Sequence, residues 1–299
     1  MSLFGRFLAG TLPYIPEPVI RLVARRYIAG ETLGDALAAA AALGKEGFLT
    51  TLDLLGEDTT HPRQARQALG DYRQILEAIA ANGIDGNVSV KPTQFGLRID
   101  PDLCLRSFQT LAAEARMIGH FVRVEMEDSS CTERTLALYK SLRRDFDNVG
   151  IVIQSCLYRS PTDLEGILDL VPNVRVVKGV YVEPPAVAWQ DRQTIRGQYL
   201  ALSETLIRSG AYAAFATHDD YLVERLSALV GSHGLPPSAY EFQMLLGVRE
   251  ELRQRILDAG HRVRVYIPFG SDWHPYSIRR LRENPRIAGY VIQAMLGRR

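Results

Sequence analysis

Tyr276, Arg279, Arg280 and Glu283 fall at i, i+3, i+4 and i+7 of a segment with helical patterning, so all four share one face. Two guanidiniums beside a single carboxylate leave surplus positive charge. Arginine grips a carboxylate or phosphate through two parallel hydrogen bonds, which suits this face to an anionic group on a ligand. The competing reading, which spacing alone favours, is a charged stripe turned to solvent.

A second set of polar residues stands at the ends of apolar runs. Lys91 closes one, and Arg123, Glu125, Glu127 and Asp128 mark the next. Gln154 ends a third, and Arg175, Lys178, Gly179 and Tyr181 follow in a fourth. Thr217, His218 and Asp219 close another, Glu241 and Gln243 lie within the next, and Tyr266 ends the last. Taken singly, each reads as a solvated or paired surface group. Together they are too many polar groups on buried strands for a fold that needs only to be stable. Metal chemistry finds little support. The six histidines are scattered, with neither H-E-x-x-H nor a Cys/His cluster, and no G-x-S-x-G turn marks a nucleophile.

The elements that must position these residues alternate. Strands are expected over 48–54, 88–90, 121–126, 149–154, 174–179, 211–216, 240–244 and 263–266. Helices are expected over 62–82, 101–118, 132–145, from 160, over 192–209, 219–230 and 248–259, then at 274–283 and 287–296. Asp100 caps the helix that Pro101 opens. Eight βα units in about 250 residues point to an α/β fold, a (β/α)8 TIM-type barrel. A doubly wound open sheet would carry a glycine-rich turn, yet no two glycines here are separated by a single residue. Residues 1–46 are expected to form an N-terminal helical segment packed on the barrel, and 47–299 the barrel itself.

Charge and composition exclude other classes. Lys and Arg number 35 against 34 Asp and Glu, so no overall field draws the chain to nucleic acid. Three cysteines without ligand spacing fit a reducing, cytoplasmic setting. No run approaches the ~18 apolar residues of a membrane span, and Pro13, Pro16 and Pro18 interrupt any secretory signal. A helix over 20–28, with Arg21, Arg25 and Arg26, could lay a basic face on the inner surface of a membrane. Packing against the domain is the alternative.

The strand ends resemble the proline dehydrogenase family as a set. They read V-S-V-K-P (88–92), R-V-E-M-E-D-S (123–129), V-I-Q-S (152–155), R-V-V-K-G-V-Y (175–181), A-T-H-D (216–219), E-F-Q-M-L (241–245) and Y-I-P-F-G (266–270). The helix Y-S-I-R-R-L-R-E-N (276–284) is similar to that family's Y-x-x-R-R-x-x-E-N. The resemblance implies a distorted barrel that binds FAD and oxidises L-proline to Δ1-pyrroline-5-carboxylate, with electrons passed to a quinone at the membrane. It implies an ion pair of Lys91 with Glu125 beside the proline ring, and Arg175 at the flavin N5. Met126, Gln154, Lys178, Gly179, Val180, Tyr181, Thr217, His218 and Gln243 would contact the cofactor. Leu245, Tyr266 and Tyr276 would enclose proline, Arg279 and Arg280 would hold its carboxylate, and Glu283 would balance them and also contact the cofactor. Glu125 stands where the family usually has aspartate, and its extra methylene lets the pair with Lys91 shift. The family's long bifunctional members add an aldehyde dehydrogenase module, for which 299 residues leave no room. Two other classes stay open: a Schiff-base aldolase or lyase with Lys178 as the amine, and a non-catalytic barrel that binds an amino acid.

Overall fold

In the computed structural model the described residues are 20–21, 24–274 and 276–278. Helix α1 (Leu33–Lys45) opens on a capping box, in which the Thr32 hydroxyl accepts from the Asp35 amide and the Asp35 carboxylate accepts from the Thr32 amide. Eight strands follow: β1 (Leu49–Leu54), β2 (Gly86–Val90), β3 (Val122–Val124), β4 (Val149–Gln154), β5 (Asn173–Val177), β6 (Tyr212–Ala216), β7 (Tyr240–Leu245) and β8 (Val263–Phe269). Between them run α2 (Pro62–Ala81), α3 (Pro101–Met117), α4 (Thr132–Asp145), α5 (Ser160–Glu165), α6 (Arg192–Arg208), α7 (Asp220–Ser232) and α8 (Glu250–Asp258). Each strand pairs in parallel with the next, and β8 closes on β1 with Thr50 opposite Val265. The expected barrel is the one observed.

Local chemistry explains the boundaries. Asp100 caps α3 by accepting from the Leu103 amide at 2.9 Å, with Pro101 supplying the first helical position. Asp191 caps α6 in the same way through the Thr194 amide. Strands β3 and β5 stop two residues short of their expected ends, so Glu125, Met126, Lys178 and Gly179 lie just past the strands and line the mouth. Strand β8 runs three residues longer than expected, because β1 stays paired with it as far as Leu54 opposite Phe269; the N-terminal segment adds bonds there, the Ala29 amide donating to the Pro268 carbonyl and the Gly270 amide to the Gly30 carbonyl.

Two layers of packing hold the mouth in place. The main core lies between the strands' outward faces and the helices, where Ala36, Ala40 and Leu43 of α1 join Phe48 and Leu52. A second apolar cluster sits where β1 and β7 end. Ile20, Ala24, Tyr27 and Ile28 meet Leu55, Trp273 and Tyr276 there, with Leu245 against them. Gly247, at φ +67°, permits this close approach, since a Cβ on it would lie 1.6 Å from the Arg26 carbonyl oxygen. Helix residues 273–274 and 276–278 are described; Arg279, Arg280, Glu283 and the expected helix at 287–296 lie outside the described residues.

The barrel interior is charged. Arg123 is fully buried and donates to the carbonyls of Ile151 and Asn173 and to the Asn173 side chain. Gly150 makes room for it, because a Cβ there would stand 2.3 Å from the guanidinium. Burial and the neighbouring Arg175 pull the Arg123 pKa down to about 9.

Candidate active site

A cavity of about 400 Å³ opens at the C-terminal ends of the strands. Glu125, Met126, Gln154, Arg175, Lys178, Gly179, Val180, Thr217, His218, Gln243, Leu245 and Tyr266 all line it. Eight strand ends supply the mouth, yet the lining comes mainly from β3 to β8.

A floor of buried ion pairs lies under the lining; Lys91, an expected substrate contact, and Asp53 do not themselves line the cavity. The Lys91 ammonium donates to both Asp53 carboxylate oxygens, at 3.1 and 3.3 Å. Burial raises the Asp53 pKa and Lys91 only partly offsets it. Burial opposes the charge on Lys91, but Asp53, Glu125 and Glu57 together raise its pKa. Lys91 therefore stays charged in a site that water scarcely reaches.

Glu125 takes a different partner from the expected one. Its carboxylate accepts from the Arg175 guanidinium and the Ser89 hydroxyl, whereas Lys91 turns to Asp53. The expected Lys91–Glu125 pair is thus replaced by two pairs side by side. The cause is geometric. Glu125 follows the last residue of β3 and its longer side chain spans to β5, while Asp53 on β1 is the carboxylate next to Lys91. Burial alone would raise the Glu125 pKa; Arg175, Ser89 and Lys91 outweigh it and hold the carboxyl below its usual range. Arg175 also donates from Nε to the Gln243 amide oxygen at 2.5 Å, and its guanidinium lies over the Tyr266 ring, 5.1 Å from the centroid.

The rim is different in kind. Asp219 receives a bidentate grip from Arg196 (2.6 and 2.9 Å), a bond from Lys178 and a longer one from Arg192 (3.3 Å). Burial works against this carboxylate, but the bonds from Arg196 and Lys178 hold its pKa well below the usual range. Three cations face one anion. Beside them Gly179 adopts φ +102°, and a Cβ on it would meet the Cys156 sulfur at 2.2 Å. A bare backbone next to surplus positive charge can receive an elongated anionic cofactor; a pyrophosphate fits this donor set. Lys178, the amine that a Schiff-base mechanism requires, serves Asp219 as a counter-ion.

The remaining expected residues are placed as follows. Gln154 donates to the Glu127 carbonyl at 2.8 Å, and the Leu245 amide donates to His218 Nε2 at 2.8 Å. Tyr276 is buried in the apolar cluster over the mouth, with its ring centroid 6.5 Å from that of Tyr27. Tyr181 follows Val180 in the loop beyond β5. Sequence reasoning missed Asp53, Arg192 and Arg196 as site residues. Asp53 is a single acid in an apolar strand, and the arginines lie on α6 at i and i+4, a basic face that a helical reading could have flagged. Among the described residues no group of histidine, cysteine and carboxylate side chains could hold a metal, and no helix is long and apolar enough to cross a membrane.

Known proteins fit this arrangement. The family model described as Proline dehydrogenase matches residues 36–293. The chain is 38% identical to "Proline dehydrogenase" of Deinococcus radiodurans over 279 residues, covering 92% of this chain and 90% of that one. It is 37% identical to "Proline dehydrogenase 1" of Bacillus subtilis strain 168 over 276 residues, covering 92% and 91%. The solved structure of proline utilization A from Bdellovibrio bacteriovorus, inactivated by N-propargylglycine, superposes with a TM-score of 0.82 at 24% identity. It shares the barrel over 87% of this chain and 32% of its own length. With a closed eight-stranded barrel, a charged floor and a match over most of its length, this chain belongs to the proline dehydrogenase family.

Proposed function

We propose that this chain oxidises L-proline to Δ1-pyrroline-5-carboxylate with FAD as its cofactor and a quinone as final acceptor. The observation that carries this is one cavity gathering, from separate strands, nearly every described residue that the resemblance assigns to the flavin. FAD, when bound, supplies the two-electron acceptor for a hydride from the ring carbon next to nitrogen. Lys178, Arg192 and Arg196 would hold its phosphates, and Gly179, Val180 and Tyr181 would lie along it. Met126, Gln154, Thr217, His218, Gln243 and Glu283 complete the proposed cofactor contacts. Arg175 keeps a fixed positive charge beside them, buried and anchored on Glu125 and Gln243. Leu245, Tyr266 and Tyr276 offer apolar and aromatic walls to an aliphatic ring. Lys91 and Asp53 close the floor, and Arg279 and Arg280 would take the carboxylate. Exposed Arg25 fits transient contact with the inner face of a membrane, where quinones reside.

The test is a visible spectrum. The purified protein should be yellow and should bleach anaerobically on addition of L-proline. A protein that neither carries nor takes up FAD defeats the proposal. Substrate choice is checked by Arg280→Met, which should lower kcat/KM far more for proline than for prolinamide, since only proline presents a carboxylate. Equal losses would show that Arg280 does not read the carboxylate.

A further inference from the structure

Glu241 lies on β7 two residues before Gln243, so both side chains point into the barrel, with Glu241 one layer below the cavity. Glu241 is absent from the cavity lining and only 2% exposed. Its Oε1 accepts from the Gln243 amide nitrogen and from Arg264 Nε at 2.9 Å, and its Oε2 accepts from the Tyr212 hydroxyl at 3.1 Å. Arg264 is itself fixed by donating to the Thr50 carbonyl at 2.7 Å. The other end of the Gln243 amide accepts from Arg175.

An amide has one accepting end and one donating end. An ionised carboxylate only accepts and a guanidinium only donates. Glu241 therefore dictates which way the Gln243 amide faces, and that orientation is the one Arg175 requires. We infer that Glu241 is a positioning residue of the active site, which acts through Gln243 to fix the Arg175 guanidinium against the bound flavin. The competing role is structural: Glu241 would merely neutralise Arg264, and its influence on the cavity would be its bare charge. This inference rests on the proposal that flavin occupies the cavity.

A double-mutant cycle separates the roles, using wild type, Glu241→Met, Gln243→Met and the double variant; methionine keeps the bulk but offers Gln243 no carboxylate oxygen, whereas glutamine would keep an accepting end. Three quantities are read: FAD affinity of the stripped protein, the midpoint potential of the bound flavin without proline, and the rate of anaerobic reduction by proline. Glu241→Met alone should shift the potential and slow reduction about tenfold, with proline KM unchanged. In the Gln243→Met background the same change should cost less than about twofold, because the link is already cut. Equal effects in both backgrounds, or a Glu241→Met protein with wild-type potential and rate, would overturn the inference. If Glu241→Met does not fold, the cycle is run with Glu241→Met/Arg264→Met, which removes both buried charges together. The same outcomes decide it. A wild-type protein that takes up no FAD defeats the proposed function and this inference with it; bleaching by proline with an additive cycle defeats this inference alone.

Discussion

Along the barrel axis Asp53 faces Lys91, Glu125 faces Arg175 and Glu241 faces Arg264, whereas at the rim Asp219 alone faces Lys178, Arg192 and Arg196. These three pairs are matched one to one and nearly free of water, while the further interior cation, Arg123, is held by carbonyls and the Asn173 side chain instead of a carboxylate. Their mutual attraction offsets desolvation, and each fixes its neighbour in place. The rim charges are unmatched and partly wet, and the excess is free to meet a ligand's anion. Charge balance thus separates the groups that hold the site's shape from those that capture what enters it. Variants in the two regions should fail in different ways.

The largest effect is expected on the axis. Asp53→Asn leaves the Lys91 ammonium buried without its carboxylate, and should lower unfolding free energy by about 3–5 kcal/mol. Removing both charges, as Asp53→Asn/Lys91→Met, should recover most of that stability while activity stays lost. Denaturant titration of the stripped protein measures both. A single variant as stable as wild type would mean that the pair contributes nothing to holding the floor.

Next in size is Arg175, which belongs to the axis by its pairing and to the site by its position in the cavity wall. Arg175→Ala should slow reduction by proline roughly 10²–10³-fold, the usual loss when a preorganised donor is removed. Arg175→Lys should recover only part, because one ammonium on a flexible stem cannot serve both Gln243 and Glu125 as the planar fork does. Stopped-flow reduction of protein with normal flavin content is the check. Full recovery by lysine would show that charge alone matters at this place.

The two regions were unequally legible in the sequence. The barrel followed from alternation and caps, as with Asp100 before Pro101, because those signals are local. Most cavity residues followed from motifs at strand ends. Partner choice did not. Lys91 was expected on Glu125 and sits on Asp53, since which carboxylate a lysine meets depends on inter-strand register and side-chain length, neither of which spacing encodes. Arg196 and Asp219 meet across 23 residues because the loop after β5 returns α6 over the end of β6. Only the i, i+4 repetition of Arg192 and Arg196 on α6 hinted at that contact.

The smallest effects should come from the rim, and they sharpen the comparison because the two arginines there differ in exposure. The Arg196 side chain is 17% exposed and grips Asp219 with two bonds, whereas Arg192 is 65% exposed and reaches it at 3.3 Å. Neither is needed to neutralise Asp219 while the other cations remain, so alanine at either position should leave the stripped protein's stability within about 1 kcal/mol of wild type. FAD affinity should respond instead. Arg196→Ala loses a held, partly desolvated donor and should weaken binding about tenfold. Arg192→Ala removes a solvated charge and should cost at most about threefold, a loss that fades as salt is raised because exposed charges are screened. Fluorescence titration of stripped protein with FAD, at low and high salt, measures all four values. If either variant instead destabilises the stripped fold as strongly as Asp53→Asn, the rim is a structural cluster like the axis, and surplus charge is not what marks a binding surface in this barrel.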